Sequence, residues 1–209
     1  MARYTDAVCR LCRRQGEKLF LKGERCFTPK CGIERRNTPP GQHGARRRGK
    51  VSEHGVQLKE KQKARQVYGV LERQFRRHYA MASNRPGVVG ENLLQELELR
   101  LDNVVYRLGF AESRSHARQV VNHGHITVNG RKARTPSARA KVGDMVGWVA
   151  SSRTSELYKT ALAGISNKGV PDWLALDRTQ MSGSVVAVPL RGQIDTKLNE
   201  QAIVEFYSR

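Results

Sequence analysis

The stretch from Ser113 to Ala133 reads SRSHARQVVNHGHITVNGRKA and decides the fold expected for the middle of the chain. Ser113 is a favourable helix N-cap, and Gly124 marks where the helix should end. After it, Asn129-Gly130 separates two short strand-like runs, which is a strong signal for a tight two-residue β-hairpin. The helix residues expected to face inward are Ala117, Val120 and Val121. The sequence therefore predicts a short helix followed by a hairpin.

Basic side chains cluster around this helix and hairpin. Arg114 and Arg118 lie four residues apart and share one face of the predicted helix, which we expect to point outward with Asn122 nearby. The exposed basic residues expected to converge on one surface are Arg114, Arg118, Arg131, Lys132, Arg134, Arg139 and Lys141. A surface of this kind suits a phosphate backbone.

Two longer helices are predicted before this unit. The 3- or 4-residue spacing of apolar residues indicates one helix over about 52–82. Pro and Gly in the segment 84–87 should end this helix. The same spacing indicates a second helix over about 91–108, with Gly109 as its C-terminal cap. The apolar stripe of the first helix comprises Val67, Val70, Leu71, Phe75 and Tyr79.

The region after the hairpin predicts short strands and one more helix. A strand is expected over 142–146, and further strands or extended segments are expected within 165–193, where Val185–Val188 is the clearest run. Asp195 is a candidate cap for a final helix. Its buried face would comprise Leu198, Ala202, Ile203 and Phe206. Helices followed by a small sheet make the fold class α+β.

The chain is strongly and unevenly basic. Lys and Arg total 38 against 19 Asp and Glu, a net charge of +19. Residues 1–50 hold 14 basic and 4 acidic residues, whereas the last 46 residues hold 5 of each. Because such an excess repels itself unless a polyanion neutralises it, we expect a nucleic-acid partner. No apolar run approaches the roughly 20 residues of a membrane span, and no signal segment opens the chain, so we expect a cytosolic protein.

All four cysteines lie within the first 31 residues, as a C-x2-C pair and a C-x4-C pair separated by 13 residues. Two close pairs can place four thiolates around one tetrahedral ion, and they leave no open position for catalysis. Two disulfides are one alternative, which a cytosolic chain disfavours. Four unrelated free thiols are the other, which the clustering of the cysteines disfavours. Zinc is the default ion, with an iron–sulfur cluster as the alternative. The predicted ligands, which would fold a small basic knuckle, are Cys9, Cys12, Cys26 and Cys31.

A basic arm follows the cysteines. It reads TPPGQHG over 38–44 and then carries three arginines and a lysine over 46–50. Pro and Gly exclude a long helix, so the arm is extended or a loop. A disordered linker is the alternative, but the density of arginine favours ordering upon RNA. Four cysteines already complete a tetrahedral site, so His43 is not needed as a metal ligand. We interpret it as an RNA contact or a loop residue.

Several motifs of this chain resemble those of a known family. RLDNVVYRLGF over 100–110, followed by residues 113–130, resembles the RNA-binding domain named after small-subunit ribosomal protein S-four. The opening at residues 2–4, PPGQHG over 39–44 and the ending IVEFYSR over 203–209 extend the resemblance to essentially the full length. The resemblance is to the bacterial form of the S-four family that carries four N-terminal cysteines.

The resemblance implies a domain plan and a function. A metal-binding knuckle and basic arm (1–44) would precede a helical body (45–97 with 188–209), into which an RNA-binding domain with a small antiparallel sheet (98–187) is inserted. The family is a primary binder of a multi-helix junction in the 5′ domain of small-subunit rRNA, early in assembly. Its implied neighbours are ribosomal protein S-five and mRNA near its entrance channel, where the family influences translational accuracy.

We expect RNA contacts from phosphate-binding cations more than from aromatic stacking, since aromatic residues make up only 6% of the chain. Tyr4 and Tyr68 are the candidates for stacking. The full set of predicted contacts is Arg3, Tyr4, Arg10, Arg13, Arg14, Lys30, Arg35, Arg36, Gln42, His43, Arg46, Arg47, Arg48, Lys50, Lys61, Arg65, Tyr68, Arg73, Ser113, Arg114, His116, Arg118, Asn122, His123, Arg131 and Lys132.

Two other functions would use some of the same motifs. An enzyme that borrows an S-four-type domain would need a separate catalytic domain of about 200 residues. No glycine-rich phosphate loop, Ser/His/Asp set or carboxylate pair stands out in the sequence. A zinc-dependent DNA regulator would need an exposed recognition helix. We therefore expect no catalytic residue, no small-molecule substrate and no membrane partner.

Overall fold

The computed structural model describes residues 4–42, 44, 50–165 and 168–208. The α-helices in these residues are α1 (Cys9–Gln15), α2 (Gly32–Arg35), α3 (Glu53–Tyr68), α4 (Glu72–Ser83), α5 (Val89–Glu98), α6 (Leu101–Arg107), α7 (Arg114–Asn122), α8 (Glu156–Gly164) and α9 (Glu200–Tyr207). The strands are β1 (Ile126–Val128), β2 (Arg131–Ala133), β3 (Met145–Trp148), β4 (Leu174–Asp177) and β5 (Ser182–Val185). No helix in the described part of the chain has the length and apolar character needed to cross a membrane.

The chain forms two compact units. The first comprises residues 1–93 and 196–209, and the second comprises residues 94–195. The second unit is thus inserted into the sequence of the first, and α5 runs across the boundary. A helical unit and a unit with a five-stranded antiparallel sheet confirm the α+β class. The division into 1–44, 45–97 with 188–209, and 98–187 stays a prediction.

The helix predicted over 52–82 is two helices, α3 and α4, and that prediction was wrong. Gly69 ends α3 in the left-handed conformation (φ +63°), and the Val70 N–H donates to the Arg65 carbonyl at 3.0 Å. A left-handed glycine with such a bond is a common helix C-terminus, because glycine has no Cβ to oppose it. Most of the predicted stripe is still buried, but Leu71 is exposed beside the break.

The helix predicted over 91–108 is also two helices, α5 and α6. Between them the chain runs extended beside residues 138–140. The Ala140 N–H donates to the Leu99 carbonyl and the Leu101 N–H donates to the Ala138 carbonyl, both at 2.8 Å. This break needs no Gly or Pro, because hydrogen bonds with a segment about forty residues away in sequence hold the chain extended. The predicted cap Gly109 is confirmed at φ +82° after α6.

The predicted helix and hairpin at 113–133 are confirmed. The Ser113 hydroxyl accepts a bond from the His116 N–H at 3.2 Å, so Ser113 caps α7. Asn129 and Gly130 both have positive φ (50° and 76°), as a two-residue turn between β1 and β2 requires. The sheet order is β2-β1-β3-β5-β4, and every neighbouring pair is antiparallel.

Later strands are shifted from their predicted positions. Residues 142–144 form a turn with Gly143 at φ +90°, and β3 begins only at Met145. β5 ends at Val185, and Val186 and Val188 are exposed beyond it. The apolar core of this unit lies among α6, α7 and the sheet, where Leu108, Phe110, Val121, Ile126 and Trp148 are all buried.

The final helix has a different cap from the predicted one. Asn199 accepts the Ala202 N–H at 3.2 Å, whereas Asp195 forms an ion pair with Arg107 at 2.7 Å. Leu198, Ala202 and Ile203 are buried as predicted. Phe206 is half-buried instead, and the Lys61 ammonium lies 4.6 Å from the centre of its ring.

Candidate nucleic-acid interface

A fully buried carboxylate anchors the second unit. The two oxygens of Glu98 accept bonds from Arg107 at 2.9 and 2.7 Å, and Glu98 Oε2 also accepts from the Asn103 amide at 2.6 Å. Arg107 contacts Asp195 as well. A buried charge is tolerated only when it is paired and hydrogen-bonded, so this cluster fixes the start of α6 against the segments around it.

A second buried network joins α6 to α7. Asp102 accepts bonds from Arg100 at 3.1 and 2.8 Å and from Arg118 at 3.0 Å. All three side chains are buried. The prediction that Arg118 faces outward was therefore wrong, since Asp102 draws it into the interior. Arg118 is a positioning residue and leaves the set of surface contacts.

Arg114 and Ser113 are also held by the fold. The Arg114 Nε donates to the Asn103 side-chain oxygen at 2.7 Å, and its guanidinium lies 4.6 Å from the centre of the Tyr106 ring. The Ser113 hydroxyl is buried and serves as the cap of α7, which argues against an RNA contact through that group. Arg114 and His116 stay half-buried at the edge of the surface.

The exposed side chains at the end of α7 and on the hairpin form a surface that we call the hairpin patch: Asn122, His123, Arg131, Lys132 and Arg134. Gly124 allows Lys132 and Arg134 to lie close to the end of α7, because a Cβ at this position would lie 2.5 Å from Lys132 Cε and 3.1 Å from Arg134 Nε. Because glycine has no side chain, both basic side chains can pack against the backbone here. The sequence predicts Arg134 on this surface, as the structure shows, but the predicted set of RNA contacts does not include it.

The electrostatic environment of the hairpin patch is positive. The rings of His123 and His125 lie 6.1 Å apart. Burial lowers the pKa of His125, and the nearby His123 and Lys132 lower it further. His125 also contacts the Ser152 hydroxyl at 2.9 Å. A neutral His125 is thus favoured at pH 7, and the positive charge resides on the exposed cations that an incoming phosphate would meet.

The first unit carries most of the positive charge. It holds 24 Lys and Arg against 10 Asp and Glu, whereas the second unit holds 14 against 9. The predicted contacts that are exposed here are Tyr4, Arg10, Arg14, Lys30, Arg35, Arg36, Gln42, Lys50 and Arg73. Arg13 is half-buried, and its Nε donates to the Thr38 carbonyl at 2.7 Å, so it holds the start of the arm.

Three predicted contacts on α3 are placed differently by the structure. Lys61 is buried and donates to Glu72 at 3.0 Å, and Arg65 is half-buried and pairs with the same carboxylate at 3.0 Å. Tyr68 is 4% exposed, with its hydroxyl 3.4 Å from that of Thr196. A buried ring offers no face to a nucleobase, so stacking on Tyr68 is withdrawn. Helix packing, which the sequence pattern did not specify, is the reason for all three.

Five predicted contacts lie outside the described residues. They are Arg3, His43, Arg46, Arg47 and Arg48. They remain predictions from the sequence.

The four cysteines are free thiols within one short segment of the chain. Cys12, Cys26 and Cys31 are buried, and Cys9 is half-buried. Burial raises the pKa of Cys12, and the other three thiols raise it further. The other three thiols therefore lie near Cys12, as a shared metal ion would require.

Two backbone features around the cysteines also suit a metal. A Cβ at Gly32 would lie 2.8 Å from Cys9 Cβ, so the two cysteine pairs approach each other closely at a residue without a side chain. The Lys22 N–H donates to the Cys26 sulfur at 3.3 Å, the kind of bond that supports a metal-bound thiolate. Nevertheless, no group of three or more His, Cys, Asp or Glu within the described ranges is arranged to hold a metal ion. Four cysteines are suitable ligands for a structural metal ion, but their positions in this structure do not form a coordination site.

Comparison with known proteins agrees with this arrangement. A model of the ribosomal protein S4/S9 N-terminal domain matches residues 3–98, and a model of the S4 domain matches residues 99–146. The small ribosomal subunit protein uS4 of Syntrophomonas wolfei is 56% identical over 209 residues, which is the whole of both chains. Protein uS4 of Heliobacterium modesticaldum is also 56% identical and uS4A of Symbiobacterium thermophilum 58% identical, again over the full length of both chains.

Proposed function

This chain belongs to the uS4 family of small ribosomal subunit proteins, and from that premise we propose that it recognises a multi-helix junction of rRNA through its two basic units. It is a structural protein of the small subunit that binds rRNA, and it is not an enzyme. The observation that carries the proposal is the hairpin patch, where the exposed cations Arg131, Lys132 and Arg134 lie together on and just after β2, next to Gly124 at the end of α7.

The division of charge suggests how recognition works. Buried arginines such as Arg107 and Arg118 are neutralised by carboxylates and fix α6 and α7. The cations of the hairpin patch face solvent on β2 and just after it, in the sheet that shares one apolar core with α6 and α7. Phosphate contacts supply affinity without reading sequence, whereas their fixed spacing selects an RNA shape. A junction of several helices offers such a shape, because it brings phosphate backbones from different helices close together.

The finer parts of the proposal follow the family. The RNA target is a junction in the 5′ domain of small-subunit rRNA, and binding nucleates assembly of the subunit body. Ribosomal protein S-five and mRNA near its entrance channel are the neighbouring partners, through which the protein contributes to translational accuracy. The protein acts in the cytoplasm, within the small ribosomal subunit. The exposed predicted contacts of both units, with Arg134 added, are the residues that we propose to touch rRNA.

The four cysteines are proposed to hold a structural zinc ion, with an iron–sulfur cluster as the alternative. Their mutual proximity and burial support this, as does the bond from the Lys22 N–H to Cys26. When bound, zinc would cross-link the two cysteine pairs and supply folding energy without catalysis. Cys9, Cys12, Cys26 and Cys31 would be the ligands, and the basic residues beside them would be held in place for RNA.

The hairpin patch gives the first test. In the full chain, the double variant Arg131→Ala/Lys132→Ala should bind a 5′-domain rRNA transcript about 10-fold or more weakly, since two exposed phosphate contacts are lost. The slope of log K against log salt should also become shallower by about 1–2. Filter binding over a range of salt concentrations measures both quantities.

The matched control removes two exposed cations of the same unit outside the hairpin patch, Lys159→Ala/Arg178→Ala. Lys159 pairs with Glu156 on α8, and Arg178 lies in the turn after β4. This variant should keep most of the affinity. Equal losses from both double variants would mean that net charge alone drives binding, and the proposed site would then be wrong.

A further inference from the structure

Two phenylalanines of the cysteine-rich segment are exposed side by side. Phe27 is 74% exposed and Phe20 is 41% exposed. Their rings are stacked, with centroids 5.0 Å apart and planes inclined by 27°. The neighbouring Leu19 is buried, so apolar side chains of this segment are able to pack inside. A stacked aromatic pair that stays exposed to solvent beside a buried apolar residue indicates a binding site for a partner.

The backbone holds Phe20 in an uncommon conformation. Its φ is +52°, in the left-handed region that a bulky L-residue rarely adopts. Such strain persists only where the surrounding structure imposes it, and it is concentrated at functional positions. Here the turn follows the buried Leu19 and leaves Phe20 beside Phe27. The strain therefore serves to present the pair.

The charges around the pair indicate what the partner is. Lys22 and Arg25 lie between the two phenylalanines in sequence, and Lys30 follows them. All three are exposed, and Glu24 is the exposed acidic residue among them. An aromatic face bordered by cations suits an RNA nucleotide, since the ring stacks on a base while the cations meet its phosphates. An apolar protein partner would not require this excess of cations.

We propose that the Phe20–Phe27 pair is a stacking platform for an unpaired nucleobase of rRNA. The proposal rests on the proposed rRNA-binding function and adds a site that composition argued against, because aromatic residues are scarce in this chain. Phe27, the more exposed ring, meets the base, and Phe20 supports it from the other side. Any base is accepted, because every base has a π face.

The test compares full-length Phe27→Ala, Phe27→Leu and Phe27→Trp with the unmodified chain on a 5′-domain rRNA transcript at fixed salt. Loss of one stacked base should weaken binding about 10-fold in the alanine variant. The leucine variant should lose nearly as much, because it keeps apolar area but has no π face. The tryptophan variant should bind like the unmodified chain. The salt slope should be unchanged in all of them, because no phosphate contact is removed.

Two controls make the outcome unambiguous. Leu190→Ala removes another exposed apolar side chain (65% exposed) and should leave RNA affinity unchanged. Thiol reactivity and circular dichroism should match in all Phe27 variants, which establishes that the cysteine segment stays folded. Photocrosslinking of the folded complex, followed by mass spectrometry, should place a nucleotide on the peptide that contains Phe27.

Three results would overturn the proposal. If the leucine variant binds like the unmodified chain, the contact is apolar and no base stacks there. If all Phe27 variants bind the transcript normally but fail to join a particle with other ribosomal proteins, the platform serves a protein partner and rRNA binding itself survives. If the unmodified chain does not select the transcript over other RNA, the proposed function fails and the platform fails with it.

Discussion

Replacing Glu98 with alanine is expected to destabilise the unit of residues 94–195 by about 3–5 kcal/mol. The substitution leaves buried Arg107 and Asn103 without the carboxylate that accepts three of their bonds, at 2.6–2.9 Å. The remaining contact of Arg107 with Asp195 does not replace them, since the Asp195 side chain is largely exposed. Denaturant unfolding followed by tryptophan fluorescence reports on this unit, because Trp148 and Trp173 both lie in it and are buried.

The matched control for Glu98 is Glu156→Ala. Glu156 also carries one negative charge in the same unit, but it is exposed and pairs with Lys159 on the surface of α8. Its loss should change stability by less than about 1 kcal/mol. Glu98→Gln should fall between the two, since it keeps the shape and loses the charge. A Glu98→Ala effect as small as that of the control would show that the buried network does not hold the unit together.

Removing the proposed zinc ion is the second large effect expected. Structural zinc contributes about 10 kcal/mol or more to the folding of small cysteine-rich segments near pH 7. A strong chelator should therefore unfold the segment that contains α1 and α2, expose all four thiols to a thiol reagent and weaken rRNA binding. Elemental analysis of the purified protein should find about one zinc per chain, as one four-cysteine site requires.

Double variants distinguish a metal site from ordinary packing. Cys9→Ser/Cys12→Ser should lose the zinc and the protection of Cys26 and Cys31, and added zinc should restore neither. Visible absorbance with iron in place of zinc would instead support the iron–sulfur alternative. A metal-free chain whose thiols stay protected and whose RNA affinity is unchanged would contradict the proposal.

Local features of the fold were predictable because neighbouring residues determine them. The cap at Ser113, the turn at Asn129-Gly130 and the end of α6 at Gly109 each depend on residues within about five positions. The break at Leu99-Arg100 was not predictable in this way, since its hydrogen bonds come from residues 138–140. The break at Gly69 had a local signal, but the continuing apolar rhythm concealed it.

The sequence predicted that the candidate surface is basic, but it did not predict every residue that lies on it. Charge and the Asn-Gly turn indicated Arg131 and Lys132, which are exposed in the hairpin patch. Arg118 and Lys61 were assigned to the surface because basic residues usually lie there. Their carboxylate partners, Asp102 and Glu72, draw them inward, and those pairings depend on how helices pack. Phe27 is exposed at the end of a short 3-10 helix (Gly23–Phe27), and no periodic pattern in the sequence predicts that exposure.

The most direct test of the central claim is binding of the full chain to a transcript of the rRNA 5′ domain at physiological salt, with tRNA and duplex DNA as competitors. We expect tight binding that survives an excess of either competitor, because cations held at fixed positions on folded elements select an RNA shape. Equal displacement by tRNA or DNA would contradict it, and would reduce this chain to a basic protein that binds any polyanion.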